Sequence, residues 1–496
     1  MICVSIGRTR HSSIMSEHKH LSEKGAELVE LRLDYMRKRP DIGRLLEDRP
    51  TPVVVTCRRR EERGRFSGTE EQRRAILREA IISGAEYVDL EDDIAKSVPR
   101  YGHTRRIVSY HNFDETPSDL DAIYHRLSEC DPDVIKIVTM ANTPEDNASI
   151  LHLVERADIP TVGFCMGEMG AVSRILCGRH GSPFTYASFS KDRQMAPGQL
   201  SFAEVRNLFR FNHLTQESAV FGVLGDPIAH SKSPLIHNAA FRKVGIDAVY
   251  LPLRVPADML HDALHVYQTL GITGYSVTIP HKESVLDWCD VPDEQSDIIG
   301  AANTLYLRDK QWHATNTDAA AAMAAIEHGL QSTPSGISDL TGRKVLILGA
   351  GGAARAVGRA LVDRGAAVVV ANRSRDRGRT LAAELNCQSV LWENRGAEAC
   401  EVLVNCTSVG MYPNMDESPF EPHWLSESTL VFDTVYNPEQ TLLLKSAAER
   451  GCPTVSGIEM FVRQAALQFE LFTEATAPRE YMAETMRRAM SAARTA

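Results

Sequence analysis

The sequence predicts an α/β protein in which a parallel (β/α)8 (TIM) barrel precedes a two-lobed α/β unit. Three observations lead to this prediction. Apolar strand segments alternate with amphipathic helical segments over the first 215 residues, and eight such strands fit one barrel. A polar segment at 212–218 then interrupts the alternation. The 496 residues are also too many for one hydrophobic core, so two or three domains are expected.

The composition is that of an ordinary globular protein and argues against several functional classes. Hydrophobic residues make up 43% and charged residues 24%, and a formal net charge of -10 disfavours nonspecific nucleic-acid binding. Ten cysteines are scattered without a Cys-x-x-Cys pair, which is typical of reduced thiols. We expect no signal peptide, and no apolar run is long enough for a bilayer. We therefore expect a cytoplasmic protein without nucleic-acid, membrane or metal partners.

The barrel strands are expected, in order, at 2–6, 28–33, 53–57, 87–90, 107–110, 134–138, 161–165 and 185–189. Amphipathic helices are expected between most of them, for example at 70–83 and 144–156, and the short crossover near 92–99 is the weakest unit. In the second strand Glu30, Arg32 and Asp34 share one face, because side chains alternate along a strand. Several strands end in ionisable residues. Since active sites of this fold lie at the carboxyl ends of the strands, we expect a polar, inward-facing site there.

Lys136 is the single charge in an apolar run, 134–138, that predicts a buried strand. Burial among β-branched residues disfavours the charged ammonium, and a neutral amine can attack a ketone to form a Schiff base. Lysines more often lie on an edge strand with the ammonium in solvent. Valine and isoleucine on both sides of Lys136 favour the buried, reactive interpretation.

His111 ends the preceding strand, so adjacent barrel strands are expected to bring it within a few ångströms of a substrate bound to Lys136. Histidine suits a proton shuttle because it titrates near neutral pH. Glu91, at the end of its own strand, could orient His111. Arg58 and Arg174 are candidates for a substrate carboxylate, since a guanidinium binds carboxylates with two parallel hydrogen bonds.

Residues 1–212 resemble the type I 3-dehydroquinate dehydratase family. The resemblance is carried, in order, by Glu30-Leu31-Arg32, Thr56-Cys57-Arg58, Asp89-Leu90-Glu91, the His111 segment, Val134–Met140, Met166-Gly167-Glu168 with Val172-Ser173-Arg174, and Ala196-Pro197-Gly198-Gln199. It implies a barrel domain at 1–215, a Schiff base at Lys136, proton transfer by His111 and assistance from Glu91. It also implies substrate contacts from Glu30, Arg32, Arg58, Arg174 and Gln199. The family usually has serine before Ala-Pro-Gly-Gln, so Met195 removes or replaces a hydroxyl contact.

The second half is expected to contain a smaller α/β domain at 219–325 and a second domain at 326–457, connected by the Ser-, Pro- and Gly-rich segment 332–339. Helices at about 458–496 are expected to pack back on the smaller domain. In the second domain an apolar strand at 345–348 precedes a turn that opens a helix and contains Gly349, Ala350, Gly351, Gly352 and Ala353. Such a turn lets the backbone approach a pyrophosphate at a helix N-terminus.

The next strand, 367–371, indicates which dinucleotide this second domain binds. It ends in Asn372, Arg373 and Ser374, with Arg377 beyond. A site for NAD is expected to carry an acidic residue about 20 positions after the glycines, whereas arginines accommodate the 2′-phosphate of NADP. We therefore predict a Rossmann domain that binds NADP(H).

The smaller domain places polar segments at successive strand ends, at 225–234, 276–282, 301–304 and 316–318, which suits a polyhydroxylated ligand. By itself the first segment is equally well a helix start, with Ser233 before Pro234. Together with 405–411 and 457–460, these segments resemble the shikimate dehydrogenase family across about 219–480.

That resemblance implies Lys282 and Asp318 as the catalytic pair. It implies Ser231 and Ser233 at the substrate carboxylate, and around the ring Thr278, Asn303, Asp318, Tyr436 and Gln464. On the cofactor side it implies Thr407, Ser408, Met411, Gly457 and Met460. No role is predicted for Glu459, which stands where many relatives have a small residue.

The two families catalyse consecutive steps, so the resemblance implies a bifunctional enzyme of aromatic amino-acid precursor synthesis, similar to the fused pair found in plants. It would dehydrate 3-dehydroquinate and reduce the product to shikimate with NADPH. The first half could instead be a Schiff-base lyase of the class I aldolase type, and the second could prefer quinate. A catalytically inactive sensor of pathway intermediates is the third alternative, against which the presence of Lys136, His111, Lys282 and Asp318 argues. The expected partners are small-molecule substrates.

Overall fold

The first half folds as an eight-stranded parallel barrel that is nearly closed. In the computed structural model, residues 1–333 and 336–495 are described, with side chains as far as residue 491. The strands are β1 (Ile2–Ile6), β2 (Leu28–Arg32), β3 (Val53–Thr56), β4 (Tyr87–Glu91), β5 (Arg105–His111), β6 (Val134–Met140), β7 (Thr161–Met166) and β8 (Thr185–Ser188). Their order is β7-β6-β5-β4-β3-β2-β1-β8, and no ladder joins β7 to β8 in this fully described part of the chain. The predicted fold class is confirmed, with strand ends shifted by one or two residues.

The helices between the barrel strands are α1 (His11–Glu23), α2 (Ile42–Leu46), α3 (Glu70–Ile82), α4 (Asp92–Ala95), α5 (Leu120–Ser128), α6 (Pro144–Arg156) and α7 (Ala171–Leu176). A capping box of Thr69 and Gln72 starts α3, which satisfies backbone N–H groups that have no partner within the helix. The crossover expected near 92–99 is reduced to the four-residue helix α4. Asp34, expected to share the strand face of Glu30, lies instead in a 3-10 turn, Leu33–Tyr35.

A second, mixed sheet follows the barrel. It contains β9 (Ala219–Gly225), β10 (Ala248–Arg254), β11 (Ile272–Val277), β12 (Val291–Pro292), β13 (Thr304–Arg308) and β14 (Gln311–Thr315), in the order β10-β9-β11-β13-β14-β12. Its helices are α8 (Ser233–Val244), α9 (Leu260–Thr269), α10 (Glu294–Ile299) and α11 (Thr317–Gln331). The side chain of Asn316 accepts a hydrogen bond from the Asp318 N–H and so starts α11 at the end of β14.

The third sheet is parallel and doubly wound. Its strands and helices are β15 (Lys344–Leu348), α12 (Gly352–Asp363), β16 (Ala367–Asn372), α13 (Arg375–Glu384), β17 (Gln388–Leu391), β18 (Val402–Asn405), β19 (Leu430–Asp433), α14 (Leu442–Glu449) and β20 (Thr454–Val455). The order β17-β16-β15-β18-β19-β20 reverses direction between β15 and β18. Ligands of such sheets bind at the carboxyl ends of the strands beside this reversal. The Rossmann fold predicted for the second domain is confirmed.

Two long helices, α15 (Gly457–Thr473) and α16 (Arg479–Thr495), end the described chain. Helix α15 packs against α11, and α16 packs against α8, where the Lys243 ammonium lies 5.4 Å from the centre of the Tyr481 ring. Residues 334 and 335 of the predicted connection at 332–339 lie outside the described residues.

The chain divides into two compact units. One comprises Met1–Val220 and Asp247–Ile272, and the other comprises Phe221–Ile246 and the described chain from Thr273 onward. Asp247–Ile272 groups with the barrel because β10 contacts α7 and α9 contacts α6. The domain boundaries expected from the sequence, 1–215, 219–325 and 326–457, stay predictions.

Candidate active sites

Lys136 lies in the middle of β6 with its ammonium inside the barrel, and the residue is 5% exposed. Its Nζ lies 2.9 Å from Oδ2 of Asp89 and 4.0 Å from Oε1 of Glu30. The ammonium also lies 4.1 Å from the centre of the Tyr186 ring. Lys136 is therefore buried as expected, but it is not isolated: two carboxylates and an aromatic face balance part of its desolvation.

Asp89 is the buried carboxylate that connects Lys136 to the neighbouring strands. Its Oδ1 accepts hydrogen bonds from Nη2 of Arg58 at 2.7 Å and from Oγ of Ser109 at 2.7 Å. Burial opposes its ionisation, yet the charges of Arg58 and Lys136 hold the pKa of Asp89 well below its usual value. The sequence analysis did not select Asp89. The available signal was its position two residues before Glu91, which places both side chains on the inward face of β4.

His111 ends β5, and its ring stacks on Phe113 with centroids 5.9 Å apart. Its Nδ1 lies 3.6 Å from Oε2 of Glu62 and has no hydrogen-bond partner among the described residues. Burial, and then the charges of Arg58 and Lys136, lower the pKa of His111 well below its usual value. The imidazole is therefore neutral at physiological pH, as a proton acceptor must be.

Glu91 was expected beside His111, but its carboxylate bonds two arginines instead. Its Oε1 accepts from Nη1 of Arg58 at 3.0 Å and its Oε2 from Nη1 of Arg73 at 2.7 Å. The carboxylate nearest His111 among the described contacts is Glu62, which also accepts from Arg58 at 2.9 Å. Glu62 lies in a short turn after β3, where no periodicity marks which side chain faces the barrel. The role implied for Glu91 stays a prediction.

Two arginines were expected to bind a substrate carboxylate, and the structure distinguishes them. Arg58 is bonded to Asp89, Glu91 and Glu62. Arg174 is 2% exposed and donates one long hydrogen bond, 3.4 Å, to the Tyr186 carbonyl, whereas its Nε and Nη2 have no partner among the described residues. Burial lowers the pKa of Arg174 to about 10. Its unused donors make Arg174 the better anion ligand, since a buried guanidinium without partners is costly.

The remaining predicted substrate residues line the same cavity. Arg32 forms a two-bond ion pair with Asp34, at 2.9 Å for each bond, and its Nη1 lies 3.9 Å from Sδ of Met195. Gln199 accepts a hydrogen bond from the Met195 N–H at 2.8 Å. Glu30 accepts from two hydroxyls, those of Ser5 and Thr56. All catalytic and substrate residues predicted for the barrel, except Glu91, line this cavity: Glu30, Arg32, Arg58, His111, Lys136, Arg174 and Gln199.

The second half contains another lysine–aspartate pair. Nζ of Lys282, in the loop after β11, lies 2.5 Å from Oδ2 of Asp318 in the first turn of α11. The pair is largely buried, with side-chain exposures of 16% and 8%. The glycine-rich turn lies beside it, because a Cβ added to Gly352 would come 3.1 Å from Cδ of Lys282. The structure thus brings the predicted catalytic pair next to the predicted cofactor turn.

Among the polar residues predicted around the substrate ring, Asn303 is bonded to Thr317, the residue before Asp318. Asn303 donates to Oγ1 of Thr317 at 2.9 Å and to Oε1 of Gln464 at 3.5 Å, so strand and helix residues share one network. Tyr436 stacks on Phe461 with centroids 4.3 Å apart, and burial raises the pKa of Tyr436 to about 12. Thr278 is half-buried at the end of β11. At the start of α8, the Ser233 N–H donates to Oγ of Ser231 at 3.3 Å.

The glycine-rich turn fits a dinucleotide. Gly349 has φ of +113°, and an added Cβ would lie 2.9 Å from the Cys406 carbonyl, so only glycine is unstrained there. An added Cβ on Gly351 would meet no described atom within 4 Å, which leaves open space at the N-terminus of α12. Ala350 and Ala353 complete the turn. At the end of β16, Asn372 bonds the Ser374 carbonyl at 2.8 Å, and Arg373 and Arg377 are exposed.

The other predicted cofactor residues divide into surface and core positions. Thr407, Ser408 and Met411 follow β18 in a turn, and Met411 is 44% exposed. An added Cβ on Gly457 would lie 2.5 Å from the Val435 carbonyl, so this glycine permits close backbone packing. Met460 is 6% exposed and belongs to the hydrophobic core. Glu459, for which no role was predicted, forms a 2.7 Å ion pair with Arg463 on α15.

Two findings on the described residues concern membranes and metal ions. Within 1–333 and 336–495, no helix is both long enough and apolar enough to cross a bilayer. The same part of the chain holds no group of three or more His, Cys, Asp or Glu residues placed to bind a metal ion.

Known proteins match both halves of the chain. The family described as type I 3-dehydroquinase matches residues 2–216. The shikimate dehydrogenase substrate binding domain matches 223–305, the shikimate/quinate 5-dehydrogenase family matches 332–412, and the shikimate 5'-dehydrogenase C-terminal domain matches 457–487. The chloroplastic bifunctional 3-dehydroquinate dehydratase/shikimate dehydrogenase of Arabidopsis thaliana is 38% identical over 502 residues, covering 97% of this chain and 83% of that protein. The chain belongs to this bifunctional family.

Single-function relatives match the second half alone. The NADP(+) shikimate dehydrogenase of Shouchella clausii is 39% identical, over 54% of this chain and 97% of that protein. A solved shikimate dehydrogenase in complex with NADP+ is 32% identical with a TM-score of 0.52, over 55% of this chain and 96% of its own. The enzyme of Thermus thermophilus, solved with NADP(H) and shikimate, is 34% identical with a TM-score of 0.50, over 55% of this chain and 99% of its own. These likenesses support the two-lobed fold of the second half.

Proposed function

We propose that this chain dehydrates 3-dehydroquinate to 3-dehydroshikimate in the barrel and reduces that product to shikimate with NADPH in the second half. One observation carries the proposal: each half contains a lysine that forms an ion pair with an aspartate. Lys136 pairs with Asp89 in the barrel, and the largely buried Lys282 pairs with Asp318 in the second half. The two reactions share an intermediate, so each assignment supports the other.

In the barrel, the Lys136 ammonium first gives up a proton to solvent. The neutral amine then attacks the substrate ketone, and loss of water forms the Schiff base. The imine withdraws electrons from the neighbouring C–H bond, and the neutral imidazole of His111 accepts its proton. The imidazolium then protonates the departing hydroxyl, which leaves as water, and hydrolysis of the imine restores Lys136. Low pKa values for both His111 and Asp89 support this division, in which one group is a neutral base and the other a permanent anion.

Charged residues around Lys136 hold the substrate and the base. Arg174, which has two nitrogens unbonded to any described residue, binds the substrate carboxylate. Glu62, 3.6 Å from Nδ1 of His111, orients the ring and stabilises the imidazolium while it carries the proton. Arg58 holds Asp89, Glu91 and Glu62 in one network, so it organises the anions rather than binding the substrate directly.

In the second half, the cofactor supplies the hydride when it is bound. Lys282 donates the proton to the substrate oxygen, and Asp318, 2.5 Å away, keeps the lysine charged and oriented. Ser231 and Ser233 bind the carboxylate, and Asn303 and Gln464 bind ring hydroxyls. The open space at Gly351 would accommodate the pyrophosphate, and the exposed guanidinium groups of Arg373 and Arg377 would bind the 2′-phosphate.

The test is NADPH consumption by the purified chain when 3-dehydroquinate is the only substrate, with Lys136→Ala beside it. We expect the parent chain to oxidise NADPH and the variant to do so only when given 3-dehydroshikimate. Borohydride reduction in the presence of 3-dehydroquinate should leave a covalent adduct on Lys136. An adduct on another residue, or no NADPH oxidation by the parent with either substrate, would refute the proposal. Parallel assays with quinate and NADP+ measure substrate preference.

The place where the chain acts stays a prediction. A cytoplasmic location was expected from the sequence, whereas the Arabidopsis relative is chloroplastic. Fractionation of cells that express the chain would decide between a cytoplasmic and an organellar location.

A further inference from the structure

Asp433, at the end of β19, is a buried carboxylate with neutral hydrogen-bond donors. It is fully buried, and so are its neighbours Asn405 and Thr441. Oδ1 accepts from Nδ2 of Asn405 at 2.9 Å and from the Val435 N–H at 3.0 Å, while Oδ2 accepts from Oγ1 of Thr441 at 2.7 Å. Neither the dehydration nor the reduction described above uses this group.

The bond to Asn405 leads directly to the turn after β18. Oδ1 of Asn405 accepts from both the N–H and the hydroxyl of Thr407, at 3.0 and 2.7 Å. Oγ1 of Thr407 in turn accepts from the Val409 N–H at 3.2 Å. Nδ2 of Asn405 donates to Asp433 and also to the Val409 carbonyl at 3.4 Å. The bond to Asp433 therefore helps to hold the amide in the orientation that supports the turn from Thr407 to Met411.

This turn lies beside the crevice in which sheets of this type bind their ligands. The strand order reverses between β15 and β18, so the loops that follow these two strands flank the crevice. The two loops also meet, since an added Cβ on Gly349 would lie 2.9 Å from the Cys406 carbonyl. A displaced turn at Thr407 would therefore change the shape of the surface that receives the dinucleotide.

We propose that Asp433 is a positioning residue for NADPH, which acts through Asn405 to hold the turn Thr407–Met411 in its binding conformation. The inference rests on the reduction proposed above. Asp433 is fully buried, so it acts through the Asn405 amide, whose orientation it helps to hold.

The energetics of Asp433 favour positioning over stability. Burial raises the pKa of Asp433 to about 6, because its three partners are neutral donors that only partly replace water. The folded chain thus binds this proton more tightly than the unfolded chain does. The resulting stabilisation is present below pH 3.8 and is lost as the pH rises through about 6. At pH 7.5 the carboxylate is a net cost to folding, and an asparagine of the same shape is expected to fold at least as stably.

The experiment compares Asp433→Ala, Asp433→Asn and Thr441→Val with the parent chain. NADPH binding is measured by fluorescence titration, KM and kcat of reduction by assay, and Tm by thermal melts. We expect Asp433→Ala to raise both the Kd and the KM for NADPH by about tenfold, the effect of one lost hydrogen bond to a turn. Asp433→Asn can accept from Asn405 and donate to Thr441, so it should stay within about threefold of the parent. Dehydration by the same chain should be unchanged in every variant.

Thr441→Val is the matched control for a structural role. It removes the hydrogen bond on the other oxygen of Asp433, together with the N-cap of α14, so it should lower the Tm without changing the Kd for NADPH. Unchanged NADPH binding by Asp433→Ala would overturn the inference, and so would equal losses in the alanine and asparagine variants. If Asp433→Ala does not fold, Asn405→Ala carries the same expectation of about a tenfold rise. A parent chain that fails to bind NADPH would instead refute the proposed reduction.

Discussion

The carboxylate that faces His111 provides the sharpest test of the barrel site, because sequence resemblance and structure favour different residues. The resemblance implies Glu91, whereas the structure has Glu62 nearest to the ring, with 3.6 Å between Oε2 and Nδ1. The perturbation is Glu62→Gln, compared with Glu91→Gln in the same background. Each change removes one charge and keeps the shape of the side chain, so the comparison isolates the effect of charge at His111.

The magnitude for Glu62 follows from the distance. Two unit charges 3.6 Å apart interact by about 5 kcal/mol at an effective dielectric constant of 20. The Glu62 side chain is 25% exposed and is shared with Arg58, so solvent and the second cation reduce this to about half. Losing about 2.5 kcal/mol from the imidazolium state lowers the rate by about 60-fold. Because the ground-state imidazole is neutral, most of the loss should appear in kcat rather than in KM.

Glu91→Gln should behave differently. It breaks a buried network in which Glu91 joins Arg58 and Arg73, and such a break costs about 3–5 kcal/mol of folding free energy. The expected result is a lower Tm, with a smaller change in kcat per folded molecule than Glu62→Gln causes.

The assay follows dehydration alone, by the ultraviolet absorbance of the conjugated enone product, in the absence of NADPH. Reduction of 3-dehydroshikimate by each variant verifies that the second half is intact. A larger loss of kcat in Glu91→Gln than in Glu62→Gln, at an unchanged Tm, would refute the reasoning and restore Glu91 as the orienting residue.

Three other predictions concern the cofactor, the second catalytic pair and pH. Replacing both Arg373 and Arg377 by serine should raise the Kd for NADPH by about 10- to 100-fold, because charge-assisted hydrogen bonds to the 2′-phosphate are lost. NADH binding should be unchanged. Titration with both cofactors checks this, and an unchanged preference for NADPH over NADH would contradict it. Asp318→Asn should lower kcat of reduction by about 10²- to 10⁴-fold by removing the carboxylate beside Lys282, with dehydration as the internal control. Burial and two neighbouring cations lower the pKa of His111, so the neutral base persists in acid. Since kcat reports the enzyme–substrate complex, in which Lys136 is already bonded to the substrate, kcat of dehydration should stay level from about pH 7.5 to 5.5. A loss of about tenfold over that range would indicate an ordinary histidine.

Strand alternation made much of the barrel site predictable from the sequence. The period of two assigned Glu30 and Arg32 to the inward face of their strand, and both line the cavity. Lys136, selected as the single charge in an apolar strand, lines it as well. Residues at strand ends, such as His111, could be placed in the same way. The predicted cofactor turn could also be located from local sequence, because its glycines lie between a buried strand and a helix. Gly349 has a positive φ that favours glycine.

Residues in turns and cores could not be assigned in this way. Glu62 lies in a short turn rich in arginine and glutamate, where sequence carries no period to show which carboxylate faces the cavity. Met460, predicted on the cofactor side, belongs to a hydrophobic cluster that includes residues of the third sheet, and its role stays a prediction. The sequence analysis did not select Asp433, and only its hydrogen bonds connect it to the turn after β18.

The amino-acid sequence by itself determined the architecture of two α/β halves and the buried lysine in the barrel, and it predicted the class of cofactor. These features depend on local periodicity and on residue types at strand ends. Only the tertiary structure decided which charges meet. Asp89 and Lys136 lie on β4 and β6, on either side of β5. Asp89 pairs with Ile107 of β5, and Lys136 pairs with Ser109 of the same strand. Arg58 forms ion pairs with three carboxylates, whereas two side-chain nitrogens of Arg174 have no hydrogen-bond partner among the described residues. Ion pairs form only between charges that lie a few ångströms apart. Residues far apart in the chain come this close only when the strands pair in the correct register.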